Sequence, residues 1–229
     1  MTSVDGNLFY QAYDRHGEGT VLKKKHVRQY RKDFIQASAF MPGMSVLELG
    51  CGNGLFLKYL NHIGVADFVG VDGDGRVLGE IPPDLAAHVT IADFDDFFRA
   101  LPAERRFDRV VLFDVLEHFG TDDAVALLAK IASVLKPQGR VVIRVPNLAS
   151  PFGLGMYFND VTHRSAFSPG SIRQVARAAG YETVAVVPQA YSTTFKEVRE
   201  RVFTKTVSWF LAAPPAIWSA NMIAVLQPR

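Results

Sequence analysis

Met44-Ser45-Val46-Leu47-Glu48-Leu49-Gly50-Cys51-Gly52-Asn53-Gly54 is the stretch that decides the fold. Val46 to Leu49 is an apolar run of the kind that forms a buried strand. It breaks into glycines at alternate positions, Gly50, Gly52 and Gly54, and an amphipathic segment with Leu55, Tyr59 and Leu60 follows. A strand, a tight glycine turn and a helix bring backbone N–H groups and a helix N-terminus up to a ligand. Glycine permits the positive φ values and the close backbone approach that such a turn needs.

The glycine spacing differs from the Gly-x-Gly-x-x-Gly of dinucleotide-binding turns. Glu48 sits inside the motif, where a carboxylate repels a pyrophosphate but suits a ligand carrying an ammonium and a sulfonium. Outward from this point the chain alternates strand and helix. A second strand is read over 67–72, ending in Asp72, where a carboxylate can accept hydrogen bonds from both ribose hydroxyls of a nucleoside. A third, over 87–91, leads into Asp93 and Phe94; Asp93 also fits a plain turn role. The fourth, over 107–113, leads into Asp114-Val115-Leu116-Glu117-His118-Phe119. Thr121 is expected to cap a helix with Leu128, Ile131 and Leu135 on its buried face, closed by Lys136-Pro137-Gln138-Gly139. Strands over 140–145, 183–187 and 221–226 complete the set. The expected fold is a Rossmann-like, doubly wound α/β sheet of seven strands, mostly parallel with the last antiparallel. Right-handed crossovers put the glycine turn, Asp72, Asp93 and Asp114 at one edge of that sheet.

This pattern resembles motif I and the following acids of the class I S-adenosylmethionine-dependent methyltransferases. The resemblance implies cofactor contacts from Glu48, Gly50, Cys51, Gly52, Gly54, Asp72, Gly73, Asp93, Phe94, Phe113 and Asp114, with Asp93 at the adenine amino group. S-adenosylmethionine is then the cofactor and S-adenosylhomocysteine its product. The resemblance puts Gly where Gln138 stands. A second stretch carries Ala149-Ser150-Pro151-Phe152-Gly153, then Asp160-x-Thr162-His163, then Phe167-Ser168-Pro169. It is similar to a methyltransferase subgroup of bacterial cell-surface polysaccharide synthesis, which implies O-methylation of a sugar or glycan, free or lipid-linked. The two resemblances together cover about residues 40–190.

O-methylation needs a base for the hydroxyl proton. His163 is the first expectation, oriented by Asp160, with His118 the second. Tyr157 and Phe158 are expected to stack on the acceptor, with Arg164 beside them. Asp114, Asp160, His118 and His163 make a conceivable metal cluster, but no compact ligand motif is present and no essential metal is expected. Two rival functions stay open: methylation of a lipophilic quinone or polyketide-like molecule, and a non-catalytic cofactor-binding member.

The remaining bounds are broad. The chain has 229 residues and is read as one domain: a helical cap over 1–40, a core over 41–190, a helical insertion over 191–218 and a last strand over 219–229. A net charge of +2 is too mild to suggest nucleic-acid binding. The lone cysteine, Cys51, fits a reducing cytoplasm, and neither a signal peptide nor a membrane span is expected. Residues 21–40 read as a helix with Val27, Tyr30, Phe34 and Ala37 on one face, the rest being strongly basic: a solvated face, or an attractor of anions. The segment 202–218 is unusually apolar, with Val202, Val207, Trp209, Phe210, Leu211, Ile217 and Trp218. Core packing is the plain expectation. A lid, a homodimer contact or a peripheral contact at the inner membrane face through 196–218 is the alternative.

Overall fold

In the computed structural model, residues 21–229 are described; Tyr10 and Tyr13 of the expected cap lie outside them. Seven strands form one sheet: β1 (Val46–Leu49), β2 (Phe68–Asp72), β3 (Val89–Ile91), β4 (Phe107–Phe113), β5 (Leu135–Pro146), β6 (Tyr181–Pro188) and β7 (Asn221–Pro228). Their order is β3-β2-β1-β4-β5-β7-β6. β1 pairs in parallel with β2 and β4, and β4 with β5, while β7 runs antiparallel to both β5 and β6. The order reverses between β1 and β4, which opens a crevice at the C-terminal ends of those strands.

The central strands alternate between two cores. Leu47, Leu49, Val110, Leu112, Val141 and Ile143 face one core, and Val46, Val111, Phe113, Val142 and Ile223 face the other. Both faces are covered, so these strands read as continuous apolar runs. Helix α1 (Lys24–Tyr30) continues as a π-helical turn, Arg31–Gln36. Tyr30 and Phe34 from this stretch pack with α2 (Leu55–His62) on the second core. Short helices α3 (Pro83–Ala86) and α4 (Phe94–Ala100) flank β3. On the first core lie α5 (Thr121–Ser133) and, past the short α6 (Gly153–Phe158), α7 (Pro169–Ala178). The side chain of Ser168 caps α7, and Gly180 follows it at φ +83°.

Three local expectations are corrected. Gly120, not Thr121, is the N-cap of α5, and no side chain caps it. Leu135 to Gly139 belong to β5, not to the end of α5, and Gln138 stands at φ +64°, where the resembled pattern has glycine. Core packing fails for the helical part of the apolar insertion, since α8 (Thr194–Phe210) contains no buried residue, but holds for Ile217 beyond it, which is buried. Among the described residues, no helix is long and apolar enough to cross a membrane.

Candidate active site

The glycine turn is held from below by β2. Gly50 and Cys51 donate their N–H groups to the Val71 carbonyl at 2.7 and 3.1 Å. Gly52 N–H donates to Asp72 Oδ2 at 2.8 Å, and Asp74 N–H to Asp72 Oδ1 at 3.0 Å. All three glycines have positive φ, but for different reasons. A Cβ on Gly50 would meet Val115 at 2.5 Å, and one on Gly54, the N-cap of α2, would meet Ile81 at 3.1 Å. A Cβ on Gly52 would meet no protein atom within 4 Å. Gly50 and Gly54 therefore serve packing, and Gly52 faces open space.

Above this turn is a cavity of about 600 Å³, of small-molecule size. Its β1–β3 side is lined by Glu48, Gly50, Cys51, Gly52, Asp72, Gly73, Asp93 and Phe94. Phe113, Asp114 and His118 line it at the end of β4. Of the expected cofactor residues, only Gly54 is not in its wall. Glu48 is buried, Oε2 has no hydrogen-bond partner, and burial pushes its carboxyl well above the usual range. An orphaned buried carboxyl beside an open glycine cradle fits a ligand bearing a cationic group. Asp93 has a second duty: its Oδ1 accepts from Asp96 N–H at 2.8 Å and caps α4.

Sequence reasoning missed the far wall. Gln29, Tyr30, Arg144, Met156, Gln189 and Asn221 also line the cavity, brought in from α1, β5, α6 and the ends of β6 and β7. Asp114, at φ +57°, takes both its carboxylate oxygens to Arg144, whose Nε lies 2.9 Å from each. The same guanidinium lies over the Phe113 ring at 4.8 Å. Arg144 had a signal: it is the one charged residue within the run Val141–Pro146. Gln189 and Asn221 had none, because only strand order brings them here.

The expected base pair is arranged differently from its reading in the sequence. His163, Asp160, Tyr157, Phe158 and Arg164 are not in the cavity wall, whereas His118 is. His163 Nδ1 donates to the Tyr157 carbonyl at 2.8 Å. Its Nε2 is 3.7 Å from Asp160 Oδ2 and 4.0 Å from Glu117 Oε1, beyond hydrogen-bond reach. Tyr157, expected against the acceptor, has its ring centroid 5.2 Å from that of His163. Phe158 and Arg164 are exposed, and Arg164 N–H donates to the Glu117 carbonyl. Asp160 Oδ1 instead accepts from Thr162 Oγ1 at 2.6 Å, and Thr162 Oγ1 contacts His118 Nδ1 at 2.9 Å. With the hydroxyl proton given to Asp160, the tautomer that satisfies both contacts carries its proton on Nδ1 of His118 and its lone pair on Nε2. Burial, then the neighbouring His163, holds His118 down to about 4. It is therefore neutral at physiological pH.

Glu117, His118 and His163 have donor atoms within 4.8 Å of one another, the one such group among the described residues. Asp114 is not part of it. Burial, then the charge of Asp114, raises the Glu117 carboxyl well above its usual range, so a cation there would have to displace its proton.

A doubly wound sheet with an acid-and-glycine cradle at its switch point defines an α/β protein built for a nucleoside-bearing ligand. The chain belongs to the methyltransferase family whose model, described as "Methyltransferase domain", matches residues 23–186. Its fold is that of the class I S-adenosylmethionine-dependent methyltransferases. The ubiquinone biosynthesis O-methyltransferase of Methylococcus capsulatus is 29% identical over 150 residues, covering 62% of this chain and 59% of that protein. Its counterpart from Xanthomonas campestris is matched over about half its length, 49%. The one from Thiobacillus denitrificans is 26% identical over 222 residues, 87% of this chain and 93% of that protein. Among solved structures, a SAM dependent methyltransferase from Archaeoglobus fulgidus superposes with a TM-score of 0.66 at 20% identity, covering 89% of this chain and 91% of that one. The expected polysaccharide subgroup gains no support from these relatives.

Proposed function

We propose that this methyltransferase O-methylates a hydroxyl on the polar head of a lipophilic acceptor, of the quinone-precursor class, with His118 as base. The observation that carries the reading is the make-up of the cavity beyond β4. Polar groups of Gln29, Arg144, Gln189 and Asn221 suit oxygen substituents on a ring. Met156, exposed and in the cavity wall, adjoins the exposed apolar residues Phe152, Leu154 and Phe158, which suit an apolar tail. The ubiquinone O-methyltransferase relatives point to the same chemistry. The polar wall also favours a second reading, the hydroxyl of a lipid-linked sugar.

Glu48, Gly52, Asp72 and Asp93 would hold S-adenosylmethionine, which supplies an electrophilic methyl group when bound. The chain's own contribution is alignment and proton removal. Thr162 donates its hydroxyl hydrogen bond to Asp160 and accepts one from His118 Nδ1–H, which fixes that tautomer, and Nε2 accepts the acceptor's proton. Purified protein is to be incubated with cofactor and with prenylated catechols or lipid-linked sugars, and methylated product detected by mass spectrometry. Turnover of the catechols is expected; turnover of sugars alone would overturn the reading.

A further inference from the structure

Helix α8 is amphipathic in an inverted sense. Glu197, Glu200, Thr204, Val207 and Ser208 are its partly buried positions, so they mark the side toward the body. Glu197 pins that side to α1, accepting from Arg28 and Lys32 at 2.9 Å each. Trp218 Nε1 donates to Ser208 Oγ at 3.1 Å and holds the far end. The outward side carries Phe195, Val198, Val202 and Trp209, spaced three, four and seven residues apart and so on one stripe. Phe195 is 75% exposed, Val202 62% and Trp209 82%. Arg199 and Arg201 flank the stripe, 60% and 68% exposed, and reach back to Glu200 and Glu197 at 3.3 and 3.1 Å on the body side; Lys205 lies beside them.

The apolar surface does not end with the helix. Phe203 of α8 meets Phe152 at 6.4 Å between ring centroids, and Phe152 meets Trp218 at 6.3 Å. Phe152 immediately precedes α6, which carries Met156 in the cavity wall. Phe203, Phe152 and Trp218 thus form an aromatic row beside the helix, and Phe152 leads into the short helix whose Met156 reaches the cavity wall.

We infer that α8 and the adjoining Phe152–Met156 segment form a surface that seats on an anionic lipid bilayer and takes the acceptor from it. A stripe of Trp, Phe and Val flanked by Arg and Lys matches the boundary between acyl chains and anionic headgroups. A second copy of the chain is a poorer partner. Symmetric pairing of two stripes sets Lys205 and the exposed ends of Arg199 and Arg201 against the same groups of the other copy, while Glu197 and Glu200, already paired to those arginines, stay on the body side. The seating stands on α8 alone; delivery of the acceptor rests on the lipophilic reading above.

The test is flotation of the full chain with vesicles of phosphatidylcholine, with and without phosphatidylglycerol. The protein is expected to float with the anionic vesicles, and to be released by salt. Val202→Asp and a Phe195→Ala/Trp209→Ala double variant should each cut the bound fraction, on the order of tenfold, and Lys205→Glu should cut it less. Cofactor affinity and turnover of a short-chain, water-soluble acceptor should not change in any of them. A wild type that floats with neither vesicle overturns the proposal. So do variants that float as well as the wild type, or a wild-type dimer that Val202→Asp turns into a monomer. If no catechol is methylated at all, the acceptor reading falls while the flotation result still decides the seating.

Discussion

Thr162 Oγ1 lies 2.9 Å from His118 Nδ1, so a residue of the loop after β5 sets the tautomer of a residue in the turn after β4. His118→Ala is therefore expected to lower single-turnover methylation by ~10²–10⁴-fold while leaving cofactor affinity unchanged. His163→Ala should cost less, and Thr162→Val should fall between the two, because it frees the tautomer without removing the imidazole. A full loss in His163→Ala with a normal rate in His118→Ala would return the base role to His163.

The same histidine has a pH signature. Its folded value, about 4, lies below the usual 6.5, because burial disfavours the imidazolium. The neutral form thus persists well below pH 6.5, and the acid limb of the turnover profile should lie nearer pH 4 to 5 than 6.5. Its contribution to stability is fully present above pH 6.5 and is lost as pH falls through about 4. His118→Gln should make the loss of stability between those values shallower in denaturant titrations at pH 7 and pH 4.5.

Asp72 braces the glycine turn through the Gly52 and Asp74 N–H groups, at 2.8 and 3.0 Å, besides lining the cavity. Asp72→Ala is expected to weaken cofactor binding by ~1–3 kcal/mol in calorimetric titration. Gly52→Val fills space that no protein atom occupies within 4 Å. It should abolish binding while the protein still folds, at a lowered melting temperature because φ is +50°. Unchanged affinity in both variants would move the cofactor elsewhere.

Asp33 is a buried acid whose Oδ1 accepts from Ala190 N–H at 2.7 Å and whose Oδ2 has no partner. Burial raises its carboxyl from 3.8 to about 7. The folded protein holds this proton more tightly than the unfolded chain, so stability falls as pH rises from about 4 through about 7. Asp33→Asn keeps the acceptor and removes the penalty. Its melting temperature should exceed that of the wild type at pH 8, by about 2–4 °C per kcal/mol recovered, and show no gain at pH 4.

Gln138 stands at φ +64°, a conformation that costs a side chain ~1–3 kcal/mol. Gln138→Gly should therefore raise the melting temperature, with turnover unchanged, since the residue is exposed and remote from the cavity wall. A lower melting temperature would mean that the entropy of the added glycine outweighs the relieved strain.

Local sequence determined the frame. Val46–Leu49, Phe107–Phe113 and the glycines between apolar segments are short-range signals, and a parallel sheet with right-handed crossovers leaves few ways to arrange them. Hence the glycine turn, Asp72, Asp93 and Asp114 were readable as one cluster before any contact was known. Tertiary structure decided the rest, because it depends on side chains far apart in the chain. His118 and His163 are both in loops at the right edge; only the packing of the loop over 160–165 on the Glu117 carbonyl puts Thr162 on His118 and turns His163 toward Tyr157. Gln189 and Asn221 meet at the cavity through the insertion of β7 between β5 and β6, a pairing with no local pattern, and Gln29 joins them from α1, its Nε2 donating to the Ala190 carbonyl at 3.2 Å. The apolar residues of α8 read equally as core or as surface, since periodicity gives a helix its stripe but not the direction it faces. That direction is fixed by Glu197, which the paired charges of Arg28 and Lys32 hold against α1, leaving Phe195, Val202 and Trp209 outward.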